Sequence, residues 1–507
     1  MGSKPASRPI VWAVGGSDSA GGAGIQADVR TIHGLGAHAG SIVTAVTAQN
    51  SQGVSGVWPV PMETLSAQWS ALADLPPAVV KIGMLGTAGH VRFVAQRLRD
   101  RRVPVVLDPV MSATAGGSLL DEDGRNALVR ELLPLVAVLT PNVREAGVLL
   151  AGRSITTNEE IESAARDLAA FGPSTVIIKG GDREGLLAQD CVLSGDRLVW
   201  LTTDRVESKN THGTGCTFAS AVAAALSTGV SAIDAAVVAK MYVTEAIRAG
   251  YAAGQGAGPV RQGTWPQQEG DLPWLTRKAA EASDRPSFPA LDRPLALYAI
   301  VDAAAWVERL AGSAVGALQL RIKTLSGNAL REEISTSIRL AREADLPLFI
   351  NDHWQLAIEL GAWGVHLGQE DLDTADLPAI ASAGLRLGVS THCYEEVARA
   401  HAIRPSYIAL GPIFETKIKV MRFAPQGIAA LPVWRSTLAG DPLVAIGGID
   451  ATNARDVLAT GVDSIAVIRA ITQAPDPLRA AEELAKLVAT AGRSPFAPQE
   501  AKPRRGD

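Results

Sequence analysis

The stretch GAGPVRQGTWPQQEGDLPWLTRKAAEASDRPSFPALDRP, residues 256–294, decides how this sequence folds, because one rhythm of strands and helices stops there and another begins after it. It is rich in Gly, Pro and charge, the composition of a domain end running into a connector. Its Trp265, Trp274 and Leu275 are expected to pack against something. The division that follows is 8–262 for a first domain, 263–292 for a linker, 293–493 for a second domain and 494–507 for a disordered tail. The length of 507 residues agrees, since single cores stop growing at about 250–300 residues.

On the amino-terminal side, short β-branched runs alternate with longer amphipathic stretches. The runs are PIVWAVGG (9–16), VVKIGML (79–85), VPVVLDPV (103–110), AVLTPN (137–142) and TVIIKGG (175–181). Helix-like segments such as NEEIESAARDLAAFG (158–172) lie between them. Strands spaced by helices predict a mainly parallel sheet covered on both faces.

On the carboxyl side, eight strand-like runs follow: LALYAIVD, GALQLRIK, LPLFIND, WGVHLG, LRLGVS, YIALG, PLVAIGGI and SIAVIRA. Eight βα units in about 200 residues match the lower size of a (β/α)8 barrel, whose chemistry sits at the carboxyl ends of the strands. Polar and glycine residues collect at those ends: Arg321, Lys323, Asn351, Asp352, His366, Ser390, Gly447 and Gly448.

Composition excludes several classes. A formal net charge of −5 leaves no basic footprint for nucleic acid. No apolar run is long enough to span a bilayer, and the first residues lack the apolar core of a signal peptide. Three cysteines, Cys191, Cys216 and Cys393, are too few for a disulfide framework and point to a reducing, cytoplasmic setting. Small-molecule partners are expected, with homo-oligomeric assembly left open.

The sharpest local motif is NTHGTGCT, Asn210–Thr217, opening a helix-like FASAVAAALSTG. Gly213 and Gly215 let backbone N–H groups turn inward, and a helix amino terminus adds positive potential, so the segment reads as a phosphate cradle. An ordinary glycine turn capping an Ala-rich helix is the plain alternative, and the pattern is not a Walker A loop. Cys216 falls in the first helical turn, where a lowered thiol pKa is expected; a small buried cysteine is the bland reading. Asp108 and Glu145 follow neighbouring strands, a placement suited to Mg²⁺ carried with nucleotide phosphates. Lys179 ends a strand and can reach a phosphate as a point charge. Asn142 and Glu145 also read as a helix cap.

Together GGSDSAGGAGIQADVRTI, AVTAQNSQGV, KIGML, LDPVM, PNVREA, IIKGG and NTHGTGCT resemble, in that order, the hydroxymethylpyrimidine/phosphomethylpyrimidine kinases of thiamine biosynthesis. That resemblance, over nearly all of residues 8–255, implies a ribokinase-like three-layer α/β/α fold and two successive ATP-dependent phosphorylations. It implies that Gln49 bonds the aminopyrimidine edge and that Asp28, Met84 and Val110 line the same pocket. Asp108 and Glu145 would belong to the metal-linked site, and Lys179 would contact ATP phosphates. Cys216 would stand where relatives use an aspartate base, and the backbone of Gly213, Thr214, Gly215 and Cys216 would stabilise the transferred phosphoryl group. A pyridoxal-type kinase shares the fold and is the competing reading; Gln49 and the GTGC ending favour the pyrimidine.

In the second half, Arg321 and Lys323 of QLRIK are expected on one strand face, clamping a di-anion. Asp352 and Asp371, on consecutive βα loops, can reach one Mg²⁺. With FINDH, HLGQEDL, GVSTH, GPIFETKIK and VAIGGI, the region from about 295 to 490 resembles thiamine phosphate synthase. The resemblance implies a (β/α)8 TIM barrel that joins pyrimidine pyrophosphate to thiazole phosphate by a dissociative route. Arg321, Lys323, Asn351 and Lys419 would hold the departing pyrophosphate, with Mg²⁺ on Asp352 and Asp371. Gln319 and Ser390 would address the pyrimidine; Thr416, Gly448 and Ile468 would cradle the thiazole phosphate. Ile418 and Arg469 depart from the family pattern, at places where a hydroxyl and a serine are common. A thiazole tautomerase-like barrel is the competing reading, but it has no pyrophosphate to hold.

Overall fold

The computed structural model describes residues 8–111, 119–283, 285–415 and 425–491. They fall into two compact units. The first runs to Pro266 and takes in Gly270–Ala282; the second holds Gln267–Glu269 and the described residues from Ser283 on.

The strands of the first unit are β1 (Ile10–Gly15), β2 (His38–Val43), β3 (Ala45–Asn50), β4 (Gly53–Pro59), β5 (Val79–Ile82), β6 (Val105–Leu107), β7 (Val138–Leu139), β8 (Thr175–Lys179), β9 (Leu187–Ser194), β10 (Arg197–Asp204) and β11 (Trp274–Thr276). Nine of them form one sheet in the order β11-β10-β9-β8-β7-β6-β5-β1-β2, and β3 and β4 form a separate antiparallel pair. From β8 to β2 the sheet is parallel, while β9, β10 and β11 add antiparallel. Strand side chains alternate between faces. Trp12, Val14, Val80, Ile82, Val105 and Leu107 therefore share one face, with Val91, Val94 and Leu98 of helix Ala88–Arg99 and Ile161 and Leu168 of helix Asn158–Ala169. Helices Gly24–Gly34, Thr214–Leu226 and Ala232–Arg248 pack together, with Thr214–Leu226 against β1, β5 and β6. The expected three-layer α/β/α arrangement results.

The second unit is a closed parallel barrel: β12 (Leu297–Val301), β13 (Ala317–Leu320), β14 (Leu348–Asn351), β15 (Gly364–Leu367), β16 (Arg386–Thr391), β17 (Tyr407–Leu410), β18 (Leu443–Ile446) and β19 (Ser464–Val467). Pairing of Leu297 with Ile465 closes it. The expected (β/α)8 barrel is present. Its interior is not uniformly apolar: Tyr298, Gln319 and Tyr407 are buried beside Phe349 and Ala409.

Two expectations are corrected. Residues 263–292 pack, as expected of Trp274 and Leu275, but they are not a separate linker: they divide between the two units. β11 pairs with β10, Leu275 opposite Leu201, and Leu272 and Leu275 are buried. Further on, Leu291 enters the barrel core with Leu295 and Tyr298. Arg321 and Lys323 do not share a strand face either. β13 ends at Leu320, so both lie on the loop that follows. The 494–507 tail lies outside the described residues.

Candidate active sites

In the first unit, Gly213 caps helix Thr214–Leu226 with φ +85°, and a Cβ there would lie 1.9 Å from the Gly22 carbonyl oxygen. Only glycine allows this left-handed turn against the β1 loop. The turn starts the helix beside charge: a Cβ on Gly215 would meet Lys179 Nζ at 3.4 Å and Asp108 Oδ2 at 3.6 Å. Lys179 Nζ donates to Asp108 Oδ1 at 3.2 Å. Burial opposes the Lys179 charge, but Asp108 and Glu145 outweigh it and hold its pKa up.

Asp108 follows β6 and Glu145 lies in helix Val143–Leu149 after β7, its neighbour in the sheet. Asn142 and Glu145 do form a capping box: Glu145 Oε2 accepts the Asn142 N–H at 2.8 Å, and Asn142 Oδ1 accepts the Glu145 N–H at 2.7 Å. The cap occupies Oε2 of Glu145. Burial, opposed by Lys179 and reinforced by Asp108, pushes the Glu145 pKa up to about 7. A buried carboxyl facing a second carboxylate suits a hard cation with oxygen ligands. Two acidic groups are too few for an all-protein cage, and no group of three or more His, Cys, Asp or Glu forms one among the described residues. The donor set fits Mg²⁺ arriving with phosphates.

Cys216 overturns one expectation. Its thiol pKa is pushed up to about 12 by burial, only partly offset by Lys81, with Asp28 and Asp108 adding to the rise. Magnitudes decide this: a helix terminus contributes about 0.3–1 kcal/mol, under one pKa unit, whereas desolvation moves buried groups by up to about 3–5 units.

Asp28 stands behind the glycine loop, with its Oδ2 3.9 Å from where a Cβ on Gly15 would lie. It is fully buried, and its Oδ1 accepts from Lys81 Nζ at 2.7 Å and Ser220 Oγ at 2.8 Å. Its Oδ2 is buried without a hydrogen-bond partner among the described residues. Burial raises the Asp28 pKa despite Lys81. Lys81 alternates with Val80 and Ile82 on β5, so it faces the helices on the opposite side of the sheet from that core.

Of the other residues assigned to the pyrimidine, Met84 and Gln49 stand at the glycine loop after β1. Met84 Sδ would touch a Cβ on Gly16 at 3.0 Å. Gln49 follows a bulge at Ala48 one residue before the end of β3 and exchanges hydrogen bonds with Ser19, its carbonyl accepting Oγ–H at 2.7 Å and its N–H donating at 2.8 Å. Val110 donates its N–H to Asp108 O at 2.8 Å. A residue pair missed in the sequence clasps the two glycine loops. Asp18 Oδ2 accepts from His212 Nε2 at 2.9 Å and from the N–H groups of Gly22 and Ala23 at 2.9 and 2.8 Å. Gln49 Nε2 lies 3.4 Å from the same His212 nitrogen. Both residues stand inside the quoted motifs. The signal for Lys81 was a lone charge in an apolar strand, which burial tolerates only with a partner.

In the barrel, Asp352 sits just past β14 with φ +65°, an uncommon geometry that Asp tolerates better than most residues. Its N–H donates to His366 O at 3.0 Å. Lys323 Nζ is ion-paired with Asp352 Oδ2. Burial opposes ionisation of Asp352, but Lys323 outweighs it and holds the pKa down. Burial and the Asp352 charge raise the pKa of Asp371, whose side chain is within hydrogen-bonding reach of Asp352. Two carboxylates this close share a cation or a proton, so the pair fits Mg²⁺. Asn351 closes β14 opposite His366. Arg321 donates its N–H to Val301 O at 2.7 Å and carries its charge near His366, which burial pushes down to a pKa of about 4.

Ser390 Oγ lies 2.8 Å from His366 Nε2, and Gln319 Nε2 donates to Tyr298 Oη at 3.1 Å. Gly448 follows β18, and its carbonyl accepts from Asn453 Nδ2 at 2.9 Å; the Phe414 N–H donates to Gly447 O at 3.0 Å. Glu415 thus lies beside Gly448. Ile468 caps the four-residue helix Arg469–Thr472 after β19. Thr416, Ile418 and Lys419 lie outside the described residues.

A family model described as phosphomethylpyrimidine kinase matches residues 18–261, and one described as thiamine monophosphate synthase matches residues 297–471. The chain is 34% identical over 504 residues to a protein of Oryza sativa subsp. japonica named a probable chloroplastic thiamine biosynthetic bifunctional enzyme, covering 96% of this chain and 90% of that one. Its back half is 53% identical over 191 residues to the thiamine-phosphate synthase of Neisseria meningitidis serogroup A, covering 38% of this chain and 93% of that one. A solved pyridoxal kinase of Staphylococcus aureus, in complex with AMP-PCP and pyridoxal, is 31% identical with a TM-score of 0.50, covering 53% of this chain and 99% of that one. With the kinase fold in front, the closed barrel behind and a full-length relative across both, the chain belongs to the bifunctional thiamine biosynthetic enzymes, carrying a phosphomethylpyrimidine kinase and a thiamine-phosphate synthase in one polypeptide.

Proposed function

We propose that the first unit uses ATP to phosphorylate hydroxymethylpyrimidine and then its monophosphate, and that the barrel joins the resulting pyrophosphate to thiazole phosphate. The observation that carries the reading is the meeting of Gly215, Lys179 and Asp108 at one helix start, with the Glu145 carboxyl feeling the charges of Lys179 and Asp108. Phosphoryl transfer asks the protein mainly for positioning and charge stabilisation. The N–H groups of Gly213–Cys216 and the Lys179 ammonium meet the phosphoryl oxygens. Gln49, Met84 and Val110 hold the pyrimidine under the Asp18–His212 clasp. Cys216 stands beside the reacting hydroxyl as a neutral thiol rather than a standing thiolate. Asp28 acts one layer behind, keeping Lys81 in place beneath Cys216.

In the barrel, Arg321, Asn351, Lys323 and Lys419 receive the leaving pyrophosphate, Ser390 and Gln319 orient the pyrimidine, and Thr416, Gly448 and Ile468 bind the thiazole phosphate. Mg²⁺, held by Asp108 with Glu145 and by Asp352 with Asp371, would neutralise phosphate charge at both sites. No described helix is long and apolar enough to cross a membrane. A cytoplasmic setting, suggested by the sparse cysteines, is part of the proposal; the rice relative is named as chloroplastic.

The likeness to a pyridoxal kinase keeps one second reading in play for the first unit. A single incubation tests both halves: hydroxymethylpyrimidine, ATP, Mg²⁺ and thiazole phosphate should yield thiamine phosphate. Phosphorylation of pyridoxal with none of the pyrimidine would overturn the kinase assignment.

A further inference from the structure

Five polar side chains run in series through the barrel core. Gln319 Nε2 donates to Tyr298 Oη at 3.1 Å; Tyr298 Oη is 2.8 Å from Tyr407 Oη; Tyr407 Oη is 2.7 Å from His366 Nδ1; His366 Nε2 is 2.8 Å from Ser390 Oγ. Tyr298, Gln319, His366 and Tyr407 are all buried, and Ser390 alone is partly exposed.

The donor at one end sets every proton along the series. An amide nitrogen only donates, so the Tyr298 oxygen accepts from Gln319 and sends its own proton to Tyr407. Tyr407 then donates to His366 Nδ1. A neutral imidazole that accepts at Nδ1 carries its proton on Nε2, and that proton goes to Ser390 Oγ. The hydroxyl proton of Ser390 is left to point out of the chain. We propose that Tyr298, Tyr407 and His366 are positioning residues, a one-way hydrogen-bond relay that fixes Ser390 as a donor to a ring-nitrogen acceptor of the pyrimidine. This rests on the assignment of Ser390 to that substrate.

Packing supports a dedicated device. The Tyr407 ring passes so close to β16 that a Cβ on Gly388 would fall 2.1 Å from its Cζ and 2.3 Å from its hydroxyl oxygen. Its ring also lies nearly parallel to His366, with centroids 5.6 Å apart. Stability alone does not ask for this. Phenylalanine would fill the same space, and buried hydroxyls are tolerated only when bonded.

The test uses the full-length chain and pyrimidine pyrophosphates in which one or the other ring nitrogen is replaced by C–H. In the natural protein one analogue should lose about tenfold in kcat/KM, the upper worth of one neutral hydrogen bond. In Tyr407→Phe the natural substrate slows, and the analogue penalty shrinks to about twofold or less. A merely structural role would slow substrate and analogue alike and keep the ratio. Tyr298→Phe, which removes the donor above Tyr407 without touching His366, supplies the same comparison if Tyr407→Phe does not fold. An undiminished penalty in the variant that folds would overturn the relay. Failure of the natural protein to couple the natural pyrimidine would instead overturn the substrate assignment.

Discussion

Replacing Gly213 by alanine probes the kinase site at a single atom. The new Cβ would sit 1.9 Å from the Gly22 carbonyl oxygen, against a closest approach of 3.0 Å seen for real Cβ atoms, so one loop must retreat by about 1.1 Å. Neither side yields cheaply. Gly22 is tied to Asp18 Oδ2 through its N–H at 2.9 Å, and Gly213 caps a helix whose body is buried. Alanine at φ +85° adds about 1–2 kcal/mol of backbone strain. Displacing a phosphate cradle by about 1 Å costs about 10²-fold in rate, or about 2.7 kcal/mol of barrier. The bifunctional chain supplies its own control, because the barrel's coupling reaction is measured on the same sample from supplied pyrimidine pyrophosphate. Gly213→Ala should lower pyrimidine kinase kcat by about 10²-fold and leave coupling unchanged. A kinase kcat within about twofold of the natural chain would refute the cradle, since the contact leaves no room for an innocent methyl.

Two further predictions concern ionisation. Cys216, with its pKa pushed up to about 12, should react with iodoacetamide slowly at neutral pH, the rate climbing without a plateau up to pH ~10; peptide mass spectrometry at Cys216 reads it, and a plateau below pH ~8 would overturn the raised pKa. Glu145 has a pKa raised from 4.5 to about 7, so between those values the folded state binds a proton that the unfolded state releases, and stability falls as pH rises through the window. Glu145→Gln, which can still cap Asn142, should raise the melting temperature of the kinase unit at pH ~8 by the equivalent of about 1–3 kcal/mol and have a smaller effect at pH ~5, without added Mg²⁺ or nucleotide. A gain of equal size at both pH values would remove the burial explanation.

The strands, the two architectures and the glycine turn that opens helix Thr214–Leu226 were legible because each is written in neighbouring residues. Alternation and glycine spacing are local signals. What escaped was pairing between distant residues. Lys81 and Asp28 are 53 positions apart, Asp18 and His212 are 194 apart, and Tyr298 and Tyr407 are 109 apart. Nothing local in YIALG says that the tyrosine hydroxyl ends between a second tyrosine and a histidine. The lowered thiol failed for a different reason, since the helix terminus was visible but the crowding around Cys216 was not. The shared face of Arg321 and Lys323 failed because the ladder stops at Leu320, an end that tertiary pairing sets.

Strand β11 limits where the polypeptide can be divided. It supplies the outermost ladder of the kinase sheet, so any cut before Trp274 would strip β10 and leave a bare edge of unpaired N–H and C=O groups, a template for self-association. Cutting too late harms the other partner, because Pro289 O accepts from Ser406 Oγ at 2.7 Å and Leu291 belongs to the barrel core. The tolerant interval is therefore residues 283–287. A gene split there should give two polypeptides that each stay monodisperse and keep their own reaction, whereas a split at 263–270 should yield a kinase fragment that precipitates.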